Sequence, residues 1–270
     1  MVTITDIEYH LLAEFIESNY GIHLKEAKKT LLMTRLNNVL ADMKFKTFTQ
    51  YYDYITHDKS GKSIITFVDK ITTNYTYFMR EPDHFYYFKD TVLPEIVPKI
   101  KNKDLRVWCA ASSTGEEPYT LAMLIDEFFG EEKAFWDTKI LATDINSKVL
   151  QTAKNGVYRN EALTSLTKMW KLKYFKKNDL ETLLIVDKIK NEVIYRKFNL
   201  MEREFPFKKK FHVIFCRNVM IYFDTITKDR LVEKFYNCLE DGGYLFIGHS
   251  ESLNRATTKF NYIKPAVYRK

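Results

Sequence analysis

Apolar and polar positions follow a helical spacing over the first seventy residues and then change rhythm. Ile7, Leu11, Leu12, Phe15 and Ile16 recur at intervals of three and four, the stripe of an amphipathic helix. Thr5 and Glu8 precede it with capping-box spacing, and Gly21 marks its stop. A second helical stretch runs from about Leu24 to Met43, and a third covers TFTQYYDYI and SIITFVDKI. No β-rich run occurs before residue 100. Beyond it come short β-branched and apolar runs: LRVWCAA (105–111), KILATDI (139–145), EVIYRKFNL (192–200), FHVIFCRNV (211–219) and GYLFIGHS (243–250). Helical stretches, notably EEPYTLAMLIDEFF and TKDRLVEKFYNCL, separate several of them. This alternation predicts an α/β fold of βαβ units with a largely parallel sheet, preceded by a small all-helical domain. The last segment, FNYIKPAVYRK, is expected to add an edge hairpin strand.

Composition narrows the class without changing that architecture. The 270 residues are 46% hydrophobic and 29% charged, with only 8 Gly and 6 Pro, so a packed globular chain is expected rather than disorder or repeats. No apolar run approaches the roughly 18–20 residues of a membrane helix. The start, MVTITDIEYH, lacks a basic-then-apolar signal pattern. A soluble cytoplasmic protein, with no direct membrane insertion, is the expectation. Cys109, Cys216 and Cys238 are widely spaced with no C-x-x-C, and the six histidines form no H-E-x-x-H pair. Neither a disulfide framework nor a metal site is expected.

Charge is unevenly spread. The chain carries 42 basic and 35 acidic residues, a net +7. Residues 25–46 hold six basic residues against two acids, and residues 168–210 hold thirteen against six. Such an excess is either a solvated face or the footprint of an acidic macromolecular partner.

In a parallel α/β sheet, ligands bind beyond the carboxyl ends of the strands. The loop after the first strand reads ASSTGEEP (111–118), small residues followed by a helix N-terminus. Two acids directly after the loop would repel a phosphate but suit a ligand bearing an ammonium group. The second strand ends on Asp144, 29 residues beyond Gly115, where an acid can accept both ribose hydroxyls of an adenosine. The plainer reading of Asp144 is a helix N-cap. Taken together, the acid-flanked loop and the ribose-binding Asp fit S-adenosylmethionine better than NAD or ATP. Arg217, Asn218 and Tyr222 would stand at the rim of the same cleft, or form a structural network. Asn74, Thr76 and Arg80, interleaved with Tyr75, Tyr77 and Phe78, could line a lid over an adenine ring or a packed linker. Trp108, Cys109 and Cys216 read as core, and His249 as hydrogen-bonded structure.

In this order, TTNYTYFMREPDHF, CAASSTGEEPYTLAM, LATDIN, FNL, FCRNVMIYFD and GGYLFIGHSESL resemble the chemotaxis receptor methyltransferases, the CheR family of protein-glutamate O-methyltransferases. The resemblance extends from about residue 5 to the final AVYRK. It implies a helical receptor-recognition domain over residues 1–70, a linker or lid over 71–90, and a Rossmann-like S-adenosylmethionine-dependent domain with a doubly wound, mostly parallel sheet over 91–270. By motif, Asn74, Thr76, Arg80, Asn199, Leu200, Arg217 and Asn218 would surround S-adenosylmethionine and its product S-adenosylhomocysteine. Glu117, or its neighbour Glu116, would bind the methionyl portion, and Asp144 the ribose. Arg80 and Tyr222 match positions beside the methyl group and are the expected catalytic residues. The family's small β-subdomain insert would fall at about 174–198. In members that dock on a receptor's tail peptide this insert carries a Gly-containing turn. No Gly occurs here between Gly156 and Gly242, which speaks against tail-peptide docking.

The expected partner is the acidic cytoplasmic helical bundle of a chemoreceptor, met by Lys25, Lys28 and Arg35 on one arc of the second helix. Leu32, Leu36 and Val39 share that arc, which leaves its exposure open. Nothing demands a dimer, and a monomer is expected. Two other readings compete. A nucleic-acid methyltransferase lacks support, since neither a (D/N)-P-P-(Y/F) motif nor a suitably placed nucleophilic Cys is present. A catalytically silent cofactor-binding module conflicts with the intact set of Asn74, Arg80, Asp144 and Tyr222.

Overall fold

The computed structural model describes residues 2–270. Helix α1 (Asp6–Tyr20) begins with a complete capping box: the Thr5 side chain accepts from the Glu8 amide, and the Glu8 carboxylate accepts from the Thr5 amide. The second helix starts later than its apolar spacing predicts. The Tyr9 hydroxyl donates to the Leu24 and Lys25 carbonyls, and Lys25 is extended. A short 3₁₀ turn (Glu26–Lys28) then leads into α2 (Lys29–Asp42). Lys25 and Lys28 therefore do not lie on the α2 surface, which corrects the single-arc expectation. The third stretch is two helices, α3 (Phe48–His57) and α4 (Lys62–Ile71), broken where Asp58 accepts from the Ser60 and Ser63 amides. Leu12, Ile16, Leu36, Phe48, Ile55 and Phe67 form this domain's own core.

After an extended stretch, α5 (Pro82–Tyr87), a π turn (Phe88–Val92) and α6 (Leu93–Ile96) form one bent helical segment. Pro94 has no amide to donate and crowds the carbonyl four residues back, so the helix widens just before it. The segment packs Phe85, Phe88, Val92 and Leu93 on the sheet.

That sheet contains β1 (Val107–Cys109), β2 (Ile140–Asp144), β6 (Val193–Lys197), β7 (Phe211–Cys216), β8 (Leu239–Ile247), β9 (Asn261–Lys264) and β10 (Val267–Arg269), in the order β6-β2-β1-β7-β8-β10-β9. The first five pair in parallel, and β10 is antiparallel to both β8 and β9. The crossovers are made by α7 (Glu116–Phe129), α8 (Ser147–Asn155) and α11 (Thr225–Cys238), among shorter pieces. Strand order reverses on either side of β1, so a crevice opens at the carboxyl ends of β1 and β7. Trp108, Cys109 and Cys216 are fully buried.

A separate antiparallel sheet, β3 (Val157–Arg159), β5 (Thr182–Ile185) and β4 (Phe175–Lys177), lies between β2 and β6, with α9 (Lys168–Tyr174) and α10 (Asp187–Lys190) attached. The insert is therefore not 174–198. It starts at β3, and residues 193–197 belong to the main sheet, where β6 pairs with β2 from Val193 opposite Ile140 to Lys197 opposite Asp144. Among the described residues no helix is long and apolar enough to cross a membrane.

Candidate active site

The loop after β1 approaches two neighbouring elements closely. Gly115 has φ +98°, and a Cβ there would lie 2.8 Å from the Tyr195 hydroxyl and 2.9 Å from both the Tyr158 hydroxyl and the Ala153 Cβ. Ser113, also left-handed at φ 46°, donates its amide to Asp144 Oδ2 at 2.8 Å and its hydroxyl to the Asn74 carbonyl at 3.0 Å. One residue thus ties the loop to β2 and to the linker.

Asp144 is not the helix cap. Asn146 caps α8, accepting from the Lys148 and Val149 amides, and its own amide donates to Asp144 Oδ1 at 2.9 Å. Each carboxylate oxygen of Asp144 thus holds one backbone donor and retains acceptor capacity towards the cleft. Burial pushes its pKa up, and the amides of Asn146, Ser113 and Ile145 offset this only in part. A buried carboxylate in that state favours further donors.

Of the two acids after the loop, Glu117 faces the cleft while Glu116 is buried and accepts from the Thr114 hydroxyl. Glu117 Oε2 takes the Arg217 guanidinium at 2.6 Å, and its Oε1 accepts from the Cys109 thiol at 3.0 Å. Arg217 is almost fully buried, lies over the Phe85 ring at 5.0 Å and reaches Glu81 Oε2 at 3.1 Å. Two carboxylates therefore neutralise Arg217, and its Nε has no partner. Asn218, left-handed at φ 57°, donates its side-chain amide to Glu81 Oε1 at 3.0 Å and its backbone amide to Glu251 Oε2 at 3.0 Å. Glu251 also accepts from Ile221 and Gly248. Gly248 has no Cβ because one would collide with the Asn218 side-chain amide. Burial raises the Glu81 pKa, but the Asn218 amide and the Arg217 charge outweigh it and hold the carboxyl below its ordinary range. Glu81, His84 and His249 gather within 4.8 Å of one another. Both Glu81 oxygens are already engaged there, with a guanidinium beside them.

Asn74, Thr76, Arg80, Glu117, Asp144, Asn199, Leu200, Arg217, Asn218 and Tyr222 all line one cleft of about 1340 Å³, part of it open to solvent. Arg80 donates to the Tyr75 carbonyl at 2.7 Å and lies 5.6 Å from that ring's centroid. Tyr75 is 71% exposed. The helical domain supplies the opposite wall through Tyr20, Ile22, Leu24 and Leu32. It is held there by the Asn199 side chain donating to the Asn19 carbonyl at 2.9 Å and the His23 amide donating to the Tyr222 carbonyl at 2.8 Å.

The three residues expected to recognise a partner part company. Lys28 lies over the Tyr222 ring at 5.0 Å, whereas Lys25 is exposed and outside the cleft lining. Arg35 donates to the carbonyls of Lys70, Ile71 and Thr72 and so closes the end of α4. Arg35 nevertheless lines the same cleft as Lys28, and its Nη2 donates to the Thr73 hydroxyl at 3.3 Å. Sequence reasoning missed Glu81, Ser113 and Glu251. Pro82 opens a helix and so marks Glu81 as its flank, but the left-handed turn that aims the carboxylate inward has no signature in the residue order.

Comparison with known proteins covers the chain almost end to end. Residues 7–72 match the family described as CheR methyltransferase, all-alpha domain, and residues 74–269 match CheR methyltransferase, SAM binding domain. A chemotaxis protein methyltransferase of Borreliella burgdorferi is 40% identical over 272 residues, covering 100% of this chain and 96% of that protein. The chemotaxis protein methyltransferase of Escherichia coli is 32% identical over 270 residues, covering 99% and 92%.

Proposed function

The chain belongs to the CheR methyltransferases and is an S-adenosylmethionine-dependent methyltransferase of chemotaxis; from that premise we propose how its cleft works. Asp144 takes the ribose hydroxyls, Glu117 the methionyl ammonium, and Asn74, Thr76, Asn199, Leu200, Arg217 and Asn218 enclose the rest. Arg80 and Tyr222 receive a glutamate side chain from the cytoplasmic helical bundle of a chemoreceptor. The products are a glutamate methyl ester and S-adenosylhomocysteine. The observation that carries this reading is Asp144: a buried carboxylate with spare acceptor capacity, facing a cleft whose other acid is Glu117.

S-adenosylmethionine supplies a methyl group on a positively charged sulfur, to which the electron pair returns when a carboxylate oxygen takes the methyl. A glutamate carboxyl, with pKa about 4.3, is already ionised at neutral pH, so no protein base is needed. The residues act by position and by field. Arg217 is neutralised by Glu117 and Glu81, and Arg80, with no carboxylate partner among the described residues, is the linker guanidinium that draws an acidic side chain in. Arg80 already gives one donor to the Tyr75 carbonyl, which limits a tight bidentate grip that would blunt the nucleophile. Tyr222, at the cleft wall beneath Lys28, orients the incoming carboxylate. The helical domain and linker exclude water, which favours charge annihilation in the transition state.

The test is incubation with methyl-labelled S-adenosylmethionine and a receptor cytoplasmic fragment. Alkali-labile label on receptor glutamates is expected, with S-adenosylhomocysteine binding weakened at least tenfold in Asp144→Ala, since hydrogen bonds to a charged acceptor are worth about 1.5–3 kcal/mol each. Alkali-stable label, label on RNA instead, or unchanged affinity in that variant would refute the assignment.

A further inference from the structure

Two halves of the site come from elements that share no strand or helix. The linker carries Arg80, and the turn after β7 carries Arg217, Asn218 and Tyr222. The side chain joining them is Glu81. Its Oε2 accepts from Arg217 Nη2 at 3.1 Å and from the His249 backbone amide at 3.2 Å, and its Oε1 accepts from the Asn218 side chain at 3.0 Å. The carbonyl of Arg80, one residue earlier, accepts from the same Arg217 nitrogen. Glu81 and Met79 are both left-handed, at φ 57° and 59°, conformations that non-glycine residues hold only when their surroundings fix them. Between residues 73 and 80 the backbone makes few bonds of its own. The segment is pinned at the buried Phe78, whose carbonyl accepts from the Ser165 hydroxyl, and at Asn74, whose carbonyl accepts from Ser113. The stretch from Met79 to Glu81 that carries Arg80 has the Glu81 contacts and the Arg80 amide bond to the Tyr77 carbonyl.

We propose that Glu81 is a positioning residue, the latch that holds the linker against the strand-end turns and thereby aims the Arg80 side chain into the cleft. It acts through Arg80, Arg217 and Asn218 rather than on the reacting atoms. Charge is central to the latch, because a carboxylate can accept from all three donors, while an amide would turn a donor towards Arg217 or Asn218. The activity part of this inference rests on the proposed methylation reading. The conformational part does not.

Two readouts separate them. Chymotrypsin nicking between Tyr75 and Phe78, followed by mass spectrometry on the full chain without ligand, reports whether the linker is held. Glu81→Gln is expected to accelerate nicking at least tenfold while the thermal midpoint stays within about 2 °C of wild type. Combining Glu81→Gln with Asn218→Asp restores a donor–acceptor pair of reversed polarity and should return nicking at least halfway to the wild-type rate. In the receptor assay Glu81→Gln should lower kcat at least tenfold with KM for S-adenosylmethionine changed less than threefold. Wild-type nicking and kcat in Glu81→Gln would overturn the latch. So would nicking spread equally through β7 and β8, which would mark Glu81 as a general stability residue. If wild-type protein transfers no methyl group to receptor, the functional reading fails while the nicking series still decides the latch.

Discussion

Four non-glycine residues around the cleft, Met79, Glu81, Ser113 and Asn218, have left-handed backbones with φ between 46° and 59°. Each costs on the order of 1–3 kcal/mol against an extended or helical alternative, so the packing around the site must hold them in place. His84 sits under this network, fully buried, with neither ring nitrogen bonded. Burial foremost, then the charges of Arg217 and His249, push its pKa from 6.5 down to about 3. The folded chain therefore keeps His84 neutral where the unfolded chain binds a proton, so stability falls as pH drops below about 6.5. At pH 5 the gap of roughly 1.5 units below the unfolded value corresponds to about 2 kcal/mol. Urea unfolding at pH 7 and pH 5 should show wild type losing about 2 kcal/mol more than His84→Phe. Equal losses would show that the ring has a proton-accepting partner when folded.

Glu8 works at the scale of two helices. Its Oε2 closes the box at the start of α1, while its Oε1 accepts from the Thr49 amide and hydroxyl at 2.9 and 3.1 Å, in the first turn of α3. Burial raises its pKa, but the Thr5 and Thr49 donors outweigh that and bring it below 4.5. A lowered carboxyl stabilises the fold above its unfolded pKa and loses that contribution as pH falls through the folded value. Glu8→Ala should cost about 2 kcal/mol at pH 7, for unanswered amides at two helix starts, and the difference should shrink steadily below pH 4.5. A difference that does not change down to pH 3 would mean packing, not the carboxylate, supplies the stability. The first half of this arrangement is legible in the sequence, since Thr5 and Glu8 have the box spacing. The second half is not, because Thr49 is forty-one residues away. The same divide runs through the α/β part. EEPYTLAMLIDEFF matches α7 end to end, because the glycines that bound it, Gly115 and Gly130, are local signals. The insert boundary is not legible in the residue order, because Val193–Lys197 reads the same whether its partner is β2 or β5. Only the pairing with Ile140–Asp144 decides it.

At the scale of the whole molecule, the cleft exists only where the helical domain lies against the sheet, and its cations stand on opposite walls. Lys28 from the helical side covers Tyr222, and Arg80 from the linker covers Tyr75. An ammonium or guanidinium on an aromatic face gains about 0.5–1 kcal/mol at an exposed site and keeps its full charge. Lys25, three residues before Lys28, is exposed and lies outside the cleft lining. Under the proposed reading, in which the helical domain meets an acidic helical bundle, Lys25 and Lys28 are the cations whose charge can be reversed without breaking the Arg35 bonds to the end of α4. Reversing both, Lys25→Glu with Lys28→Glu, should raise KM for the receptor at least tenfold at low salt, about 1.4 kcal/mol in all. Affinity for S-adenosylhomocysteine should stay within threefold, since the proposed ribose and ammonium ligands, Asp144 and Glu117, lie on the other domain. Raising ionic strength from 0.01 to 1 M shortens the screening length from about 30 to 3 Å, so salt should weaken wild type towards the variant and leave the variant nearly unchanged. If the variant matches wild type at low salt, the acidic bundle must meet the enzyme elsewhere. The basic stretch between residues 168 and 210, which runs from α9 of the insert through β6 to the start of β7, would then be the surface to reverse next.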